Sequence, residues 1–169
     1  YSDGTHPSSE VVEIDGVAYR FDADGYLAYG WDKADGYWYY YGANGRASGW
    51  TRVNSLWYYL DPSTGRMQIG WTKVGDSLYY LEATGVMTTG WKSIDGNWYL
   101  FDASGAMTTG WQASNGSWYY LNEDGTMATG WKGVDGYWYY LKPSGQMVTG
   151  TQWVDGRWQN FDSSGRWIG

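Results

Sequence analysis

The sequence predicts an all-β solenoid of about eight stacked β-hairpin repeats of roughly 20 residues each. Three observations lead to this fold class. Gly-Trp pairs recur from Trp31 to Trp131, with spacings of 19, 21, 20, 20 and 20 residues between successive Trp. Asp-Gly or Asn-Gly dipeptides, which favour the positive φ angles of a tight hairpin turn, recur at the same period. Aromatic residues and glycine dominate the composition, with 14 Trp, 18 Tyr and 26 Gly among 169 residues.

The repeats divide the chain into units in order along the sequence. We expect an N-terminal tail at 1–10 and a single repeat domain at 11–169, with units at 11–30, 31–49, 50–70, 71–90, 91–110, 111–130, 131–150 and 151–169. The first unit is a weak copy that begins with Val11, and the last begins with Thr151. A fixed period over this length indicates a repeat architecture in which each unit buries its surface against its neighbours.

Each unit contains the signals of one hairpin. A first strand leads to a turn at 15–16, 35–36, 95–96, 115–116, 135–136 or 155–156, and an aromatic run typical of a strand follows, such as Trp98-Tyr99-Leu100-Phe101. A second Gly, at 105, 125 and 145, marks a looser turn into the next unit. A single hairpin is marginally stable in water, so the stack must bury a shared face.

Alternation along the second strand predicts which side chains fill the interior. In the run Trp118-Tyr119-Tyr120-Leu121, Trp118 and Tyr120 share one face, whereas Tyr119 and Leu121 share the other. The second Tyr of this run is replaced by Leu100 and Asn160 elsewhere, which is unusual for a core position. We therefore expect an inner column of the first Tyr and the Leu, and an outer set of the repeat-opening Trp, the mid-repeat Trp and the second Tyr.

Composition excludes several function classes. The net charge of -7 is unfavourable for binding nucleic acid or an anionic membrane. With no Cys and one His, His6 in the polar tail, a zinc site or a thiol nucleophile is not expected, and we predict neither a metal nor a cofactor. The acidic residues lie mostly in turns at repeat spacing, and no carboxylate pair stands apart from the periodicity as a candidate for acid–base catalysis. The chain is predicted not to be an enzyme.

A ladder of outward Trp and Tyr rings predicts an interaction surface. Two ligand classes suit aromatic walls: quaternary ammonium cations, attracted by cation–π interactions, and sugar rings that stack on the aromatic faces. The negative charge of the chain favours a cation.

The repeated motif resembles the choline-binding repeats of Gram-positive surface proteins and phage lysins. The shared pattern is Gly-Trp, a polar stretch, Asp/Asn-Gly, Trp-Tyr-Tyr-Leu, Gly and Met-x-Thr-Gly-Trp, and it recurs in register from about residue 11 to 169. The resemblance implies a non-catalytic module that recognises the choline of teichoic acids between consecutive repeats. It also implies a secreted, cell-wall-associated protein whose signal peptide lies outside this sequence. The longer parent protein could be a cell-wall hydrolase that this module targets.

The resemblance implies that each choline cage contains the two Trp of one unit, a Tyr of the next hairpin and often a Met. Carried over position by position, it gives Trp31, Trp38 and Tyr59, with Ala47 at the Met position; Trp50, Trp57, Tyr80 and Met67; Trp91, Trp98, Tyr120 and Met107; and Trp111, Trp118, Tyr140 and Met127. A doubtful site has Trp131, Trp138 and Met147, with Asn160 where the third ring would stand. Val11 and Ala18 give the first unit no aromatic walls.

Other functions are compatible with the same residues. The main alternative is a glucan- or carbohydrate-binding repeat array of the same superfamily, and a third hypothesis is a pure spacer. Self-association through the terminal repeats would give a role to the junctions that depart from the pattern, which are Trp71 with Leu78 and Leu100, Trp131 and Trp138 with Asn160, and Val11 with Ala18. Lys33, Lys73, Lys92 and Lys132 recur just after the opening Trp, where we expect them to keep an edge strand soluble or to contact teichoic phosphate weakly.

Overall fold

The structure, a computed structural model, describes residues 6–169 and consists of β-hairpins with no helix in that range. Residues 1–5 of the predicted tail lie outside the described residues. The strands are β1 Val11–Ile14, β2 Val17–Arg20, β3 Gly30–Ala34, β4 Tyr37–Gly42, β5 Gly45–Arg46, β6 Gly49–Val53, β7 Leu56–Leu60, β8 Gly70–Val74, β9 Ser77–Leu81, β10 Gly90–Ile94, β11 Asn97–Phe101, β12 Gly110–Ser114, β13 Ser117–Leu121, β14 Gly130–Val134, β15 Tyr137–Leu141, β16 Gly150–Val154 and β17 Arg157–Phe161. They pair antiparallel as eight hairpins, one of which carries β5 as a third strand. The predicted all-β class with hairpins of about 20 residues is confirmed.

The Asp-Gly and Asn-Gly dipeptides form the tight turns as predicted. Asp35 has φ 51° and Gly36 has φ 83°, the two positive values that a two-residue type I′ turn requires. Two hairpins reverse direction without this dipeptide. In one of them, Asn54 and Ser55 have φ values of 49° and 69°, so Ser55 is in the left-handed region at the position that Gly occupies in the other turns. The next hairpin turns at Gly75, which has φ 60°.

A second turn folds the chain back onto the strand that it has just left. In the unit that contains β12 and β13, the Gly125 amide donates to the Asn122 carbonyl at 2.9 Å, and Leu121 then forms an antiparallel bridge with Met127. The same bridge joins Leu60 to Met67 and Leu141 to Met147. Five units therefore have a short third segment that carries a Met, and the corresponding bridge is formed by Leu27 in the first unit and Trp167 in the last.

The interior column is filled by the side chain at the last position of the second strand, which is Leu or Phe in most hairpins and Tyr41 in the pair β3–β4. Leu60, Leu81, Leu121 and Leu141 have no exposed surface, and Phe101 is 1 % exposed. This confirms the predicted inward direction of the last strand position. The first Tyr of the aromatic run is buried in two hairpins, at Tyr39 and Tyr139, and half-buried in four others, at Tyr58, Tyr79, Tyr99 and Tyr119.

The chain forms two compact units, one that runs up to Thr88 and one that covers Thr89–Gly169. Within each unit, consecutive hairpins stack and are joined by backbone hydrogen bonds. The Met67 and Met87 amides donate to the carbonyls of Trp38 and Trp57 in the first unit, each at 2.8 Å. In the second unit, Met127 and Met147 donate in the same way to Trp98 and Trp118, each at 2.8 Å. The assignment of 11–169 to a single domain stays a prediction.

Candidate functional site

The two Trp of a unit lie on the same face of their hairpin. In the pair β12–β13, Trp111 is opposite Tyr120, and Ala113 is opposite Trp118. Because side chains alternate along each strand, the face that carries Trp111 also carries Trp118. Trp118 is 49 % exposed, whereas Trp111 is half-buried. The hairpin therefore presents one partly packed ring and one open ring beside each other.

The third aromatic wall comes from the inner face of the next hairpin. The ring centroids of Trp111 and Tyr139 are 4.7 Å apart with an interplanar angle of 66°. The same edge-to-face contact at 4.8 Å joins the opening Trp of the three other complete cages to a first Tyr: Trp31 to Tyr58, Trp50 to Tyr79 and Trp91 to Tyr119. The first Tyr of the run, not the second, completes the aromatic group.

The residues predicted as third walls make ring contacts within their own hairpins, and their part in ligand binding stays a prediction. Tyr59, Tyr80, Tyr120 and Tyr140 pack against the opening Trp of their own hairpins, with centroid distances of 5.0, 5.3, 5.2 and 5.4 Å to Trp50, Trp71, Trp111 and Trp131. The physical reason is the stacking itself. When hairpins stack, the outer face of one meets the inner face of the next, so the ring that reaches back belongs to the inner set.

The Met residues also belong to different Trp pairs from those predicted. Met127 lines a cavity with Trp91 and Trp98, where Met107 was expected, and Met147 lines one with Trp111 and Trp118, where Met127 was expected. The Met127 and Met147 amides donate hydrogen bonds to the Trp98 and Trp118 carbonyls of the preceding hairpins, which places each Met beside that Trp.

In the compact part of the chain that ends at Thr88, each Met also lies beside the Trp pair one repeat earlier than its own. Met67, which was assigned to Trp50 and Trp57, lines a cavity with Trp38. This side chain fills the place for which Ala47 was the only predicted candidate. Met87, which was not predicted for any site, donates a hydrogen bond from its amide to the Trp57 carbonyl.

Glycine is required where the Met side chain crosses the next turn. Gly145 has φ 83°, and a Cβ added there would overlap the sulfur and terminal methyl of Met127. Gly165 stands in the same relation to Met147. At Gly85, Gly125, Gly145 and Gly165 the second Gly of the repeat therefore packs against a Met, in addition to the turn role predicted from sequence.

We define a cage as the two Trp of one hairpin together with the first Tyr and the Met of the next, and we name it by its mid-repeat Trp. The Trp98 cage encloses about 370 Å³ and has Asn115, Pro143 and Ser144 at its rim. The Trp118 cage encloses about 340 Å³, with Ser163 and Ser164 at its rim. Neither lining includes a charged side chain. Aromatic faces and a thioether in an uncharged setting suit a quaternary ammonium group.

The compact part of the chain that ends at Thr88 contains two cages of the same plan. The Trp38 cage consists of Trp31, Trp38, Tyr58 and Met67. The Trp57 cage consists of Trp50, Trp57, Tyr79 and Met87.

The site predicted as doubtful has a different third wall. Trp131, Trp138 and Trp167 line an apolar cavity of about 290 Å³, and the ring centroids of Trp131 and Trp167 are 5.8 Å apart. Met147 belongs to the Trp118 cage, and Asn160 accepts a hydrogen bond from Thr151 at 2.9 Å. Sequence reasoning missed Trp167, although it stands 20 residues after Met147 in the Met column.

Comparison with known proteins identifies the repeat. A family model described as a choline-binding repeat matches residues 47–89, 88–129 and 108–150. The comparison with curated proteins gives no match.

Solved structures of two pneumococcal proteins are similar to this chain. CbpJ from Streptococcus pneumoniae has 40 % identity and a TM-score of 0.87 over 90 % of this chain and 56 % of its own. Choline binding protein F from the same organism, solved in the presence of a peptidoglycan analogue, has 39 % identity and a TM-score of 0.85 over 89 % of this chain and 55 % of its own. A structure of CbpF with ipratropium has 37 % identity and a TM-score of 0.81, with 89 % and 57 % coverage. This chain thus spans a little over half the length of these relatives.

Proposed function

Because this chain belongs to the choline-binding repeat family, we propose that it is a non-catalytic module that binds choline in the aromatic cages between consecutive hairpins. The observation that carries the proposal is the recurrence of one constellation, in which the two Trp of a hairpin meet the first Tyr and the Met of the next. The proposed ligand-binding groups are those of the Trp38, Trp57, Trp98 and Trp118 cages, with Trp131, Trp138 and Trp167 as a fifth site.

The chemistry of the cages supports a methylated ammonium ligand. Such a cation has no N–H donor, so a site gains little from acceptors and much from ring faces that attract the positive charge. The Trp98 and Trp118 cages offer three rings and a thioether around an open cavity of a few hundred Å³. A neutral sugar ring would also stack on these faces, but the stacked walls converge around a compact group and leave few polar partners for its hydroxyls.

The repeated cages suit a polymer better than a free ligand. One cation–π contact contributes roughly 0.5–2 kcal/mol, so a single cage is expected to bind choline with about millimolar affinity after the ligand is immobilised. Several cages that engage one polymer raise the avidity by roughly a hundredfold or more when the spacing can be matched. We propose choline-bearing teichoic acid as that polymer and the cell wall as the location of the protein.

The rest of the parent protein would decide what the module delivers. Among residues 6–169, no helix is long and apolar enough to cross a membrane. We propose that retention at the wall depends on the cages and that any hydrolytic activity resides in another part of a longer protein.

Self-association through a terminal repeat is the remaining part of the proposal. Trp153 and Trp158 lie opposite each other in the last hairpin, 60 % and 65 % exposed, with ring centroids 5.3 Å apart. Seven units have a smaller or polar residue at the position of Trp153. A second copy would cover this pair, and sedimentation velocity of Trp153→Ser against the wild type tests it. An unchanged, concentration-independent sedimentation coefficient in both proteins would remove this part of the proposal.

Thermal unfolding with competing ligands tests the choline assignment. A ligand that binds only the folded state stabilises it by RT ln(1 + [L]/Kd), so choline at about ten times a millimolar Kd should add roughly 1.4 kcal/mol per occupied cage. Choline chloride is compared with tetramethylammonium, glucose and dextran at equal concentration. A melting temperature raised by choline and tetramethylammonium, but not by the sugars, is expected. A melting temperature raised only by dextran would replace the choline assignment with the glucan-binding alternative.

A further inference from the structure

The cages differ in the charge that surrounds them. Lys33 lies opposite Trp38 in the pair β3–β4, whereas Ala113 occupies the equivalent position opposite Trp118. The residue before the cage Met is Arg66 in the Trp38 cage and Gln146 in the Trp118 cage. The Trp98 cage has Ser93 and Thr126 at these two positions. The Trp38 cage therefore has two neighbouring cations that the Trp98 and Trp118 cages lack.

The two cations are held by different rings of β4. Lys33 lies over Trp38, a wall of the cage. Arg66 packs on Tyr37 and Tyr39, which are not cage walls and alternate with Trp38 along the strand. The Lys33 ammonium lies 5.8 Å from the ring centroid of Trp38. The Arg66 guanidinium stacks 3.9 Å over the ring centroid of Tyr37, and its Nε donates to the Tyr39 hydroxyl at 3.4 Å. Among residues 6–169, the Arg66 Nη groups have no hydrogen-bond acceptor, so the edge of the guanidinium that suits an oxyanion is open.

A polar groove connects the cations to the cage. It encloses about 610 Å³ and is lined by Trp38 and Met67, which belong to the cage, and by Lys33, Arg66 and Gln68. Asp61 also lines the groove, but its Oδ1 already accepts hydrogen bonds from the amides and hydroxyls of Ser63 and Thr64.

Charges of both signs lie in and near the groove. The lining has two cations and one carboxylate. Asp35 acts electrostatically on Arg66 from the hairpin turn without lining the groove.

A cation beside a site for an ammonium group repels that ligand unless the ligand also contains an anion. In a choline phosphoester, the phosphate is separated from the ammonium nitrogen by a two-carbon linker. We propose that the groove beside the Trp38 cage binds the phosphate of phosphocholine through Arg66 and Lys33. This inference rests on the proposed function of the cage. The Trp38 cage then prefers phosphocholine to free choline, whereas the Trp98 and Trp118 cages do not distinguish between them.

Site-resolved titrations test the inference. The indole N–H resonances of Trp38, Trp98 and Trp118 are followed in two-dimensional NMR spectra as choline or phosphocholine is added at low ionic strength. In the wild type, phosphocholine is expected to bind about three- to tenfold more tightly than choline at Trp38, and within about twofold at Trp98 and Trp118. Arg66→Gln should weaken phosphocholine binding at Trp38 and strengthen choline binding there, because the repulsive charge is removed. Arg157→Gln removes the same charge away from the cages and is the matched control.

The outcomes separate this inference from the proposed function. Loss of both ligands to an equal extent in Arg66→Gln would show that Arg66 supports the fold of the cage, and would overturn the phosphate site. Equal ratios of the two ligands at Trp38, Trp98 and Trp118 in the wild type would overturn it as well. If choline itself shifts none of the three indoles, the proposed function fails and the phosphate site fails with it.

The source of the phosphocholine group is tested with two macromolecular ligands. Arg66-dependent retention is expected on immobilised choline-bearing teichoic acid and not on phosphatidylcholine vesicles. Retention on the vesicles alone would replace the wall polymer by a lipid headgroup as the source.

Discussion

Replacing Tyr119 or Tyr120 by Leu tests which face of a hairpin completes the preceding cage. The two residues are neighbours in β13 but point to opposite faces. The ring centroids of Tyr119 and Trp91 are 4.8 Å apart, and Tyr119 lines the Trp98 cage. The ring centroid of Tyr120 lies 5.2 Å from that of Trp111 in its own hairpin. Leu retains apolar contact and removes the ring face, and the natural Leu100 shows that the second position accepts it.

The expected magnitude follows from the loss of one wall. A ring in a half-buried setting contributes about 1 kcal/mol to binding of a cation, between the exposed and desolvated limits. Tyr119→Leu should therefore weaken choline binding at the Trp98 cage about fivefold. Tyr120→Leu should leave that dissociation constant within about twofold of the wild type, because it removes no wall of that cage.

The measurement is a choline titration followed at the Trp98 indole N–H. The Trp118 resonance serves as an internal reference in Tyr119→Leu, because Tyr139 provides the third wall of that cage. Circular dichroism of both variants checks that the hairpins remain folded. A fivefold loss at Trp98 in Tyr120→Leu, with none in Tyr119→Leu, would refute the assignment of the inner Tyr to the cage.

Two further predictions concern stability. Ser55→Gly should stabilise the protein by roughly 0.5–1 kcal/mol, because Ser55 has φ 69° in a turn where a Cβ is unfavourable. Calorimetry should show a melting temperature about 1–4 °C higher, and an equal rise in Ser55→Ala, which retains the Cβ, would contradict the reason given. Hydrogen bonds from the Ser63 and Thr64 hydroxyls lower the pKa of Asp61 to about 2. Because the folded pKa lies below the unfolded one, the stabilising contribution is present above about pH 4 and is lost as the pH falls towards 2. Urea unfolding of Asp61→Asn should therefore show a weaker loss of stability over that interval than the wild type, and parallel curves would exclude the effect.

The hairpins themselves could be predicted from the sequence because their signals are local. Asp35-Gly36 specifies a two-residue turn, and the turn fixes the register that places Lys33 opposite Trp38. The alternation of Tyr119 and Leu121 with Trp118 and Tyr120 then follows from strand geometry, and the complete burial of Leu121 agrees with it.

The composition of the cages depends on how one hairpin is rotated and placed on the next, which no short pattern specifies. Tyr119 and Tyr120 are chemically identical, so only the stacking decides which of them meets Trp91. The Met column did contain a usable signal. If each Trp pair is assigned the Met of the following repeat, Ala47 is assigned to the repeat 11–30, which has no aromatic walls. The pair Trp131 and Trp138 is then assigned Trp167.

The Trp98 cage contains groups from three consecutive units: its Trp pair from 91–110, Tyr119 and Met127 from 111–130, and a rim at Pro143 and Ser144 from 131–150. The unit that is duplicated in the sequence is therefore not the unit that recognises a ligand. Exchange of a single repeat by recombination would therefore change three sites. It would alter the Trp pair of one site, the Tyr and Met of the preceding site, and the rim residues of the site two repeats earlier. Variation in such an array spreads over neighbouring sites, so that selection on one ligand pocket constrains the sequence of two adjoining repeats.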